Sequence, residues 1–148
     1  MSLFRLESME ATQRLGAAVA RQLWSGEAVC LAGPLGSGKT TLARGLIRAV
    51  TSPTEEIPSP TFTLVQLYEG RAFPISHFDL YRLSRVEEIE ELGLDDALAL
   101  GAAVIEWPDR LRGRLPPDRL DIVLGFDQEG RSARLEPHGA WEGRSIEL

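Results

Sequence analysis

The segment Gly33-Pro34-Leu35-Gly36-Ser37-Gly38-Lys39-Thr40 fits the spacing G-x-x-x-x-G-K-[ST], and it restricts the fold of this chain more than any other feature. Its glycines permit backbone angles that turn successive amide N–H groups inward, making a concave anion nest at the positive end of a helix dipole. The required context is present on both sides. Ala28–Ala32 is a short, continuously apolar run of the kind found in a parallel sheet covered on both faces. Residues 40–50 place Leu42, Ala43, Leu46, Ile47 and Val50 on one helical face. Strand, glycine-rich turn and helix together read as a phosphate-binding P-loop rather than an ordinary tight turn. Gly33, Leu35, Gly36, Ser37, Gly38, Lys39, Thr40 and Thr41 are its expected nucleotide contacts. Lys39 would reach the β and γ phosphates, and Thr40 would set its hydroxyl on Mg2+.

Composition sharpens the reading of Lys39. It is the only lysine in a chain with 16 Lys and Arg in total, and there is no asparagine. A compact ammonium kept where arginine fills every other basic position fits a crowded phosphate, at which the two side chains are not interchangeable. Guanine-specific GTPases usually carry Asn-Lys-x-Asp, which this chain cannot supply, so ATP is the expected nucleotide. The net charge of -6 argues against a surface that holds DNA or RNA by itself, because such binding needs clustered Lys and Arg. A length of 148 residues suits one domain over residues 1–148. No apolar run approaches a membrane span and the N-terminus lacks a signal pattern, so a cytoplasmic location is expected. Cys30, the single cysteine, lies in an apolar run and reads as a buried, inert thiol.

The remaining periodicities give an α/β domain. Residues 3–7 alternate weakly as an edge strand, and Ser8 can cap a helix carrying Met9, Thr12, Leu15, Gly16, Val19, Ala20 and Leu23, ending near Ser25-Gly26. Residues 61–68 and 72–78 alternate about Glu69-Gly70-Arg71 as a hairpin. Residues 85–92 and Leu94–Leu100 read as helices, and residues 101–107 as a buried strand closed by Pro108. A second hairpin joins residues 119–126 to 131–136. The expected architecture is therefore a P-loop NTPase-type three-layer domain with a mixed, mostly parallel central sheet and added antiparallel hairpins.

Phosphate chemistry also needs a carboxylate near the metal and a group that orients the nucleophile. Two strands end in acids, Asp79 and Glu106, and the carboxyl ends of strands line the ligand crevice of an open α/β sheet. Glu106 follows Ala-Ala-Val-Ile, the apolar strand and acid of a Walker B segment, and is placed with Thr40 on the metal. Asp79 would contact the metal's water shell or orient the attacking water. Nothing in the sequence prevents the two roles from being exchanged. Thr61, in Ser59-Pro60-Thr61-Phe62-Thr63, reads equally as a phosphate-sensing switch or as part of a stiff connector. His77 reads as structural, Trp107 as a packing or partner contact, and Arg82 as solvated.

These pieces resemble the TsaE family of small bacterial P-loop ATPases needed to form threonylcarbamoyladenosine in tRNA. The resemblance rests on GPLGSGKTT, SPTFTLV, HFDLYRL, ELGL and VIEWP, in that order across most of the domain. It implies an ATPase acting with two partner proteins, TsaB and TsaD, and touching tRNA only through that complex. It supports Lys39 and Thr40 for nucleotide and magnesium, Glu106 for magnesium, and Asp79 for ATP turnover, with Lys39, Asp79 and Glu106 as the catalytic set. It also suggests Thr12, at a helix start near the adenine, and Arg131, reaching the nucleotide from the last hairpin. A small-molecule kinase with Asp79 as base, and a nucleotide-binding module without turnover, are the competing readings. Residues 137–148 match nothing interpretable.

Overall fold

The computed structural model describes residues 2–60, 63–85, 87–127 and 130–148. One seven-stranded sheet runs in the order β1-β7-β6-β2-β5-β4-β3. Its strands are β1 (Ser2–Leu6), β2 (Ala28–Ala32), β3 (Val65–Tyr68), β4 (Ile75–Asp79), β5 (Ala102–Glu106), β6 (Arg119–Asp127) and β7 (Gly130–His138). The central strands β4, β5, β2 and β6 are parallel, β3 on one flank and β7 on the other run antiparallel to them, and the edge strand β1, antiparallel to β7, again runs with the central strands. The alternation of the strands sorts side chains to two faces. Val29, Leu31, Val104 and Ile122 pack with Leu15, Val19, Leu42, Leu46 and Ile47 of α1 (Met9–Ala20) and α2 (Lys39–Val50). Cys30, Phe78, Ala103 and Ile105 meet Ile89 and Leu94 of α3 (Glu88–Leu92) and α4 (Leu94–Leu100) on the other face. Three layers result, and burial of both faces of β2 and β5 explains their unbroken apolar sequences.

Ser8 caps α1 as its sequence suggests, its hydroxyl accepting from Ala11 N at 3.0 Å. The helix stops at Ala20, earlier than the periodicity through Leu23 implies. Leu23 is nonetheless buried, reached through a turn. The hairpin of β3 and β4 forms, with shorter strands than expected. Arg71 N donates to Val50 O at 2.9 Å, which ties the connection to the end of α2 and delays β4 to Ile75. Residues 61 and 62, including Thr61, lie outside the described residues. Residues 139–148, opaque in the sequence, form a strap: Trp141 is fully buried and Arg144 grips Glu27 through two 2.7 Å hydrogen bonds. Among the described residues, no helix is long and apolar enough to cross a membrane.

Candidate functional site

Four parallel strands ending together create the crevice in which the site is built. The loop after β2 rises from the sheet's carboxyl edge, and Gly38, with φ of 106°, begins α2 without any side-chain cap. The first N–H groups of α2 are therefore left facing outward, where the helix dipole favours an anion. Gly33, with φ of 142°, is required for a second reason: a Cβ there would lie 2.8 Å from Ser37 Oγ and against the backbone of Leu124. The loop can curl only because that methyl is missing.

Lys39 bends back over this loop. Its Nζ donates to Gly33 O at 2.6 Å and Pro34 O at 2.9 Å, and sits 4.2 Å from the centre of the Trp107 ring. Burial pushes the ammonium below the ordinary lysine range, while the Glu106, Asp79 and Asp109 carboxylates act in the opposite direction. Two neutral carbonyls are poor substitutes for a phosphate, so the ammonium is held over the loop by contacts that an incoming anion can replace.

Asp79 and Glu106 are partners in the β4–β5 ladder, so the two carboxyls stand side by side at the strand ends. Their surroundings differ. Glu106 Oε1 accepts from Thr40 Oγ1 at 2.9 Å, and Oε2 meets His77 Nε2 at 2.6 Å. His77 is fully buried, and its Nδ1 has no hydrogen-bond partner among the described residues, so Nε2 is the ring nitrogen through which it engages Glu106. Asp79 Oδ1 instead accepts from Tyr81 N at 3.1 Å, within its own loop. Glu106 is thus joined to the P-loop helix, and Asp79 stands beside it.

The crevice encloses about 410 Å³, and of the residues expected from the sequence Leu35, Gly36, Gly38, Lys39, Thr40, Thr41, Asp79, Glu106 and Arg131 line it. Gly33 contributes the carbonyl held by Lys39, and Ser37 is buried beneath the loop, so neither lines the cavity. Thr12 also lies behind the loop: it is 1% exposed, its hydroxyl donates to Ser8 O at 3.3 Å, and its methyl underlies Gly38. Met9, from the same helix start, occupies the cavity wall in its place. A helix presents neighbouring residues about 100° apart, so the cap fixes the turn of chain but not which side chain faces the crevice. Ser59, Tyr81 and Trp107 also line the crevice. Tyr81 lies within the HFDLYRL segment, which does not single it out; its ring packs tilted against Trp107, centroids 4.8 Å apart and planes at 45°.

The site's features fit a nucleotide polyphosphate and Mg2+. Ser37 Oγ is buried with no hydrogen-bond partner among the described residues, and α2, which begins just after it, has no side-chain cap. No group of three His, Cys, Asp or Glu side chains capable of holding a metal exists among the described residues. Mg2+ takes one or two protein oxygens and completes its shell with phosphates and water, so a site for it needs no such cluster. Thr40 and Glu106 are the donors available for it.

The glycine-rich loop closing on an open helix start, at the carboxyl edge of parallel strands bearing two acids, defines a P-loop-type α/β domain. Comparison with known proteins narrows this class. The family described as threonylcarbamoyl adenosine biosynthesis protein TsaE matches residues 6–134, and the chain belongs to that family. The tRNA threonylcarbamoyladenosine biosynthesis protein TsaE of Rickettsia conorii is 40% identical over 80% of this chain and 68% of its own length. Its counterpart from Nostoc is 36% identical over 93% of this chain and 86% of its own. The crystal structure of Bacillus subtilis YdiB superposes with a TM-score of 0.76 at 27% identity, covering 93% of this chain and 86% of that one.

Proposed function

We propose that this protein binds ATP with Mg2+ in the P-loop crevice and hydrolyses it as a component, with TsaB and TsaD, of the machinery that forms threonylcarbamoyladenosine next to the anticodon of tRNA. The observation carrying this reading is the hydrogen bond from Thr40 Oγ1 to Glu106 Oε1, 2.9 Å long, which joins the helix that receives phosphate to the strand that supplies an acid. Bound Mg2+ would neutralise charge on the phosphate oxygens. Thr40 and Glu106 would hold it, with His77 fixing the Glu106 carboxylate. Lys39 exchanges the carbonyls of Gly33 and Pro34 for phosphate oxygens, and the loop amides hold the rest of the polyphosphate. Asp79, one strand over with its Oδ1 turned to Tyr81 N, is the group that orients the attacking water. This division favours Glu106 for the metal and Asp79 for the nucleophile, where the sequence left the two interchangeable.

The test measures ATP hydrolysis by the protein alone and with TsaB and TsaD, together with pull-downs in ATP, ADP and no nucleotide. Slow turnover that changes when the partners are added is expected, since switch-type ATPases are commonly incomplete alone. Failure to bind the pair in any nucleotide state would remove the assembly from the proposal. ATP consumption strictly dependent on a small acceptor that becomes phosphorylated would replace it with a kinase.

A further inference from the structure

The loops that follow β4 and β5 leave the sheet beside one another, and both are rich in arginine. Residues 80–85 and 107–115 contain Arg82, Arg85, Arg110, Arg112 and Arg114 against a single acid, Asp109, in a chain whose net charge is -6. Leu83, Ser84, Arg85, Asp109, Arg110 and Arg112 enclose a polar cavity of about 300 Å³, separate from the P-loop crevice. Arg110, one of these lining residues, has a buried Nε with no hydrogen-bond acceptor among the described residues. Its guanidinium carbon lies 5.7 Å from the centre of the Tyr81 ring, and Tyr81 remains 39% exposed. The backbone N of Arg85 donates to Glu88 Oε1 at 3.1 Å, but its side-chain Nε lies 3.8 Å from that oxygen and the side chain is 72% exposed, so the ion pair holds the guanidinium only weakly.

Guanidinium forks match phosphate oxygens two at a time and give up their hydration more readily than an ammonium does. Arginines gathered on one cavity beside an exposed aromatic ring form the combination used for single-stranded nucleic acid: positive charge follows the backbone and the ring stacks on a base. A carboxylate from a protein partner would use the arginines but would give the Tyr81 ring nothing to do. The acidic remainder of the surface repels RNA and so restricts contact to this patch. We propose that the cavity between residues 83–85 and 109–112 binds the phosphodiester backbone of single-stranded RNA, with Tyr81 stacking on an adjacent base. The Tyr81–Trp107 pair then separates the RNA contact from Lys39, which lies over the Trp107 ring.

Fluorescence anisotropy of the full chain with a labelled single-stranded RNA of about 12 nucleotides tests this, titrated across a range of salt. The double variant Arg85→Glu/Arg112→Glu should weaken binding by about tenfold or more. It should also flatten the log–log salt dependence by about 1.4, or about 0.7 for each phosphate that is no longer neutralised. Arg112→Ala alone should show a smaller loss in the same direction, and Arg85→Lys/Arg112→Lys should recover most of the affinity. ATP affinity and the thermal melt should match the wild type in all of these, since both side chains are exposed and neither lines the P-loop crevice. Three results would overturn the proposal: no RNA binding by the wild type at low salt, equal RNA affinity in the double variant, or displacement of RNA by polyglutamate as effectively as by unlabelled RNA. The last would reassign the cavity to an acidic protein segment. Binding of inorganic phosphate without RNA would likewise refute the RNA assignment.

Discussion

Replacing Gly16 with alanine should destabilise the protein, although helix propensity alone predicts the opposite. Alanine is favoured over glycine in a helix interior by about 1 kcal/mol. Gly16, however, lies where α1 presses on α2, and a Cβ there would stand 2.8 Å from Leu46 N and in direct collision with Leu42 O. The contact is reciprocal, since a Cβ on Gly45 would lie 2.7 Å from the Cα of Gln13. These obstacles are backbone, which cannot rotate aside, so the helices must separate by roughly 1 Å and loosen the packing of Leu15, Leu42 and Leu46. Overpacking of this kind costs about 1–3 kcal/mol, and an obstacle of helix backbone puts Gly16 at or above the top of that range. After the propensity gain, a net loss of about 2 kcal/mol remains, equivalent to a fall in Tm of about 4–8 °C for a domain of this size. Calorimetry or a circular-dichroism melt in the absence of nucleotide would measure it. Nucleotide affinity should fall as well, because α2 begins the P-loop and Thr12 of α1 supports Gly38 from beneath. A Gly16→Ala protein melting at or above the wild-type temperature would refute the close crossing of α1 and α2.

Lys39→Ala should reduce ATP affinity by about 100-fold, the loss expected for a charge-assisted contact of about 2.7 kcal/mol, as read by calorimetric titration. Glu106→Gln and Asp79→Ala should each lower turnover by about 100-fold or more while leaving folded protein that binds nucleotide; wild-type turnover in Glu106→Gln would withdraw the metal assignment. Arg144→Met should cost about 2 kcal/mol in a denaturant titration, less than the 3–5 kcal/mol of a fully buried pair because Trp24 N still donates to Glu27 and the arginine is partly exposed. Burial chiefly pushes the Cys30 thiol up to about 12. The unfolded chain therefore releases this proton at lower pH than the folded one, and stability should decline by up to about 1.4 kcal/mol per pH unit between the unfolded value near 9.0 and about 12. Comparing denaturation midpoints with Cys30→Ala isolates that slope, and identical pH profiles would show that the thiol is not buried.

The parts of the protein that depend on neighbouring residues were readable directly from the chain. Gly33 to Thr41 specify a loop whose backbone angles only glycine tolerates, Ala28–Ala32 and Ala102–Glu106 specify strands buried on both faces, and Ser8 specifies a helix start. Even the two acids were identifiable, because each closes an apolar strand. Tertiary structure decided everything that depends on distant residues meeting. It joined Thr40 to a carboxylate 66 residues away and set His77 against the same carboxylate, giving Glu106 and Asp79 different surroundings. It placed Met9 rather than Thr12 on the crevice, tied residues 139–148 to the turn that follows α1, and gathered Arg85, Arg110 and Arg112 around one cavity on a chain that is acidic as a whole. A sequence records spacing along the chain, which determines backbone angles and periodic faces. Hydrogen-bond partners, stacked rings and local charge depend on distances across the fold, and these exist only once β4, β5 and the P-loop have come together.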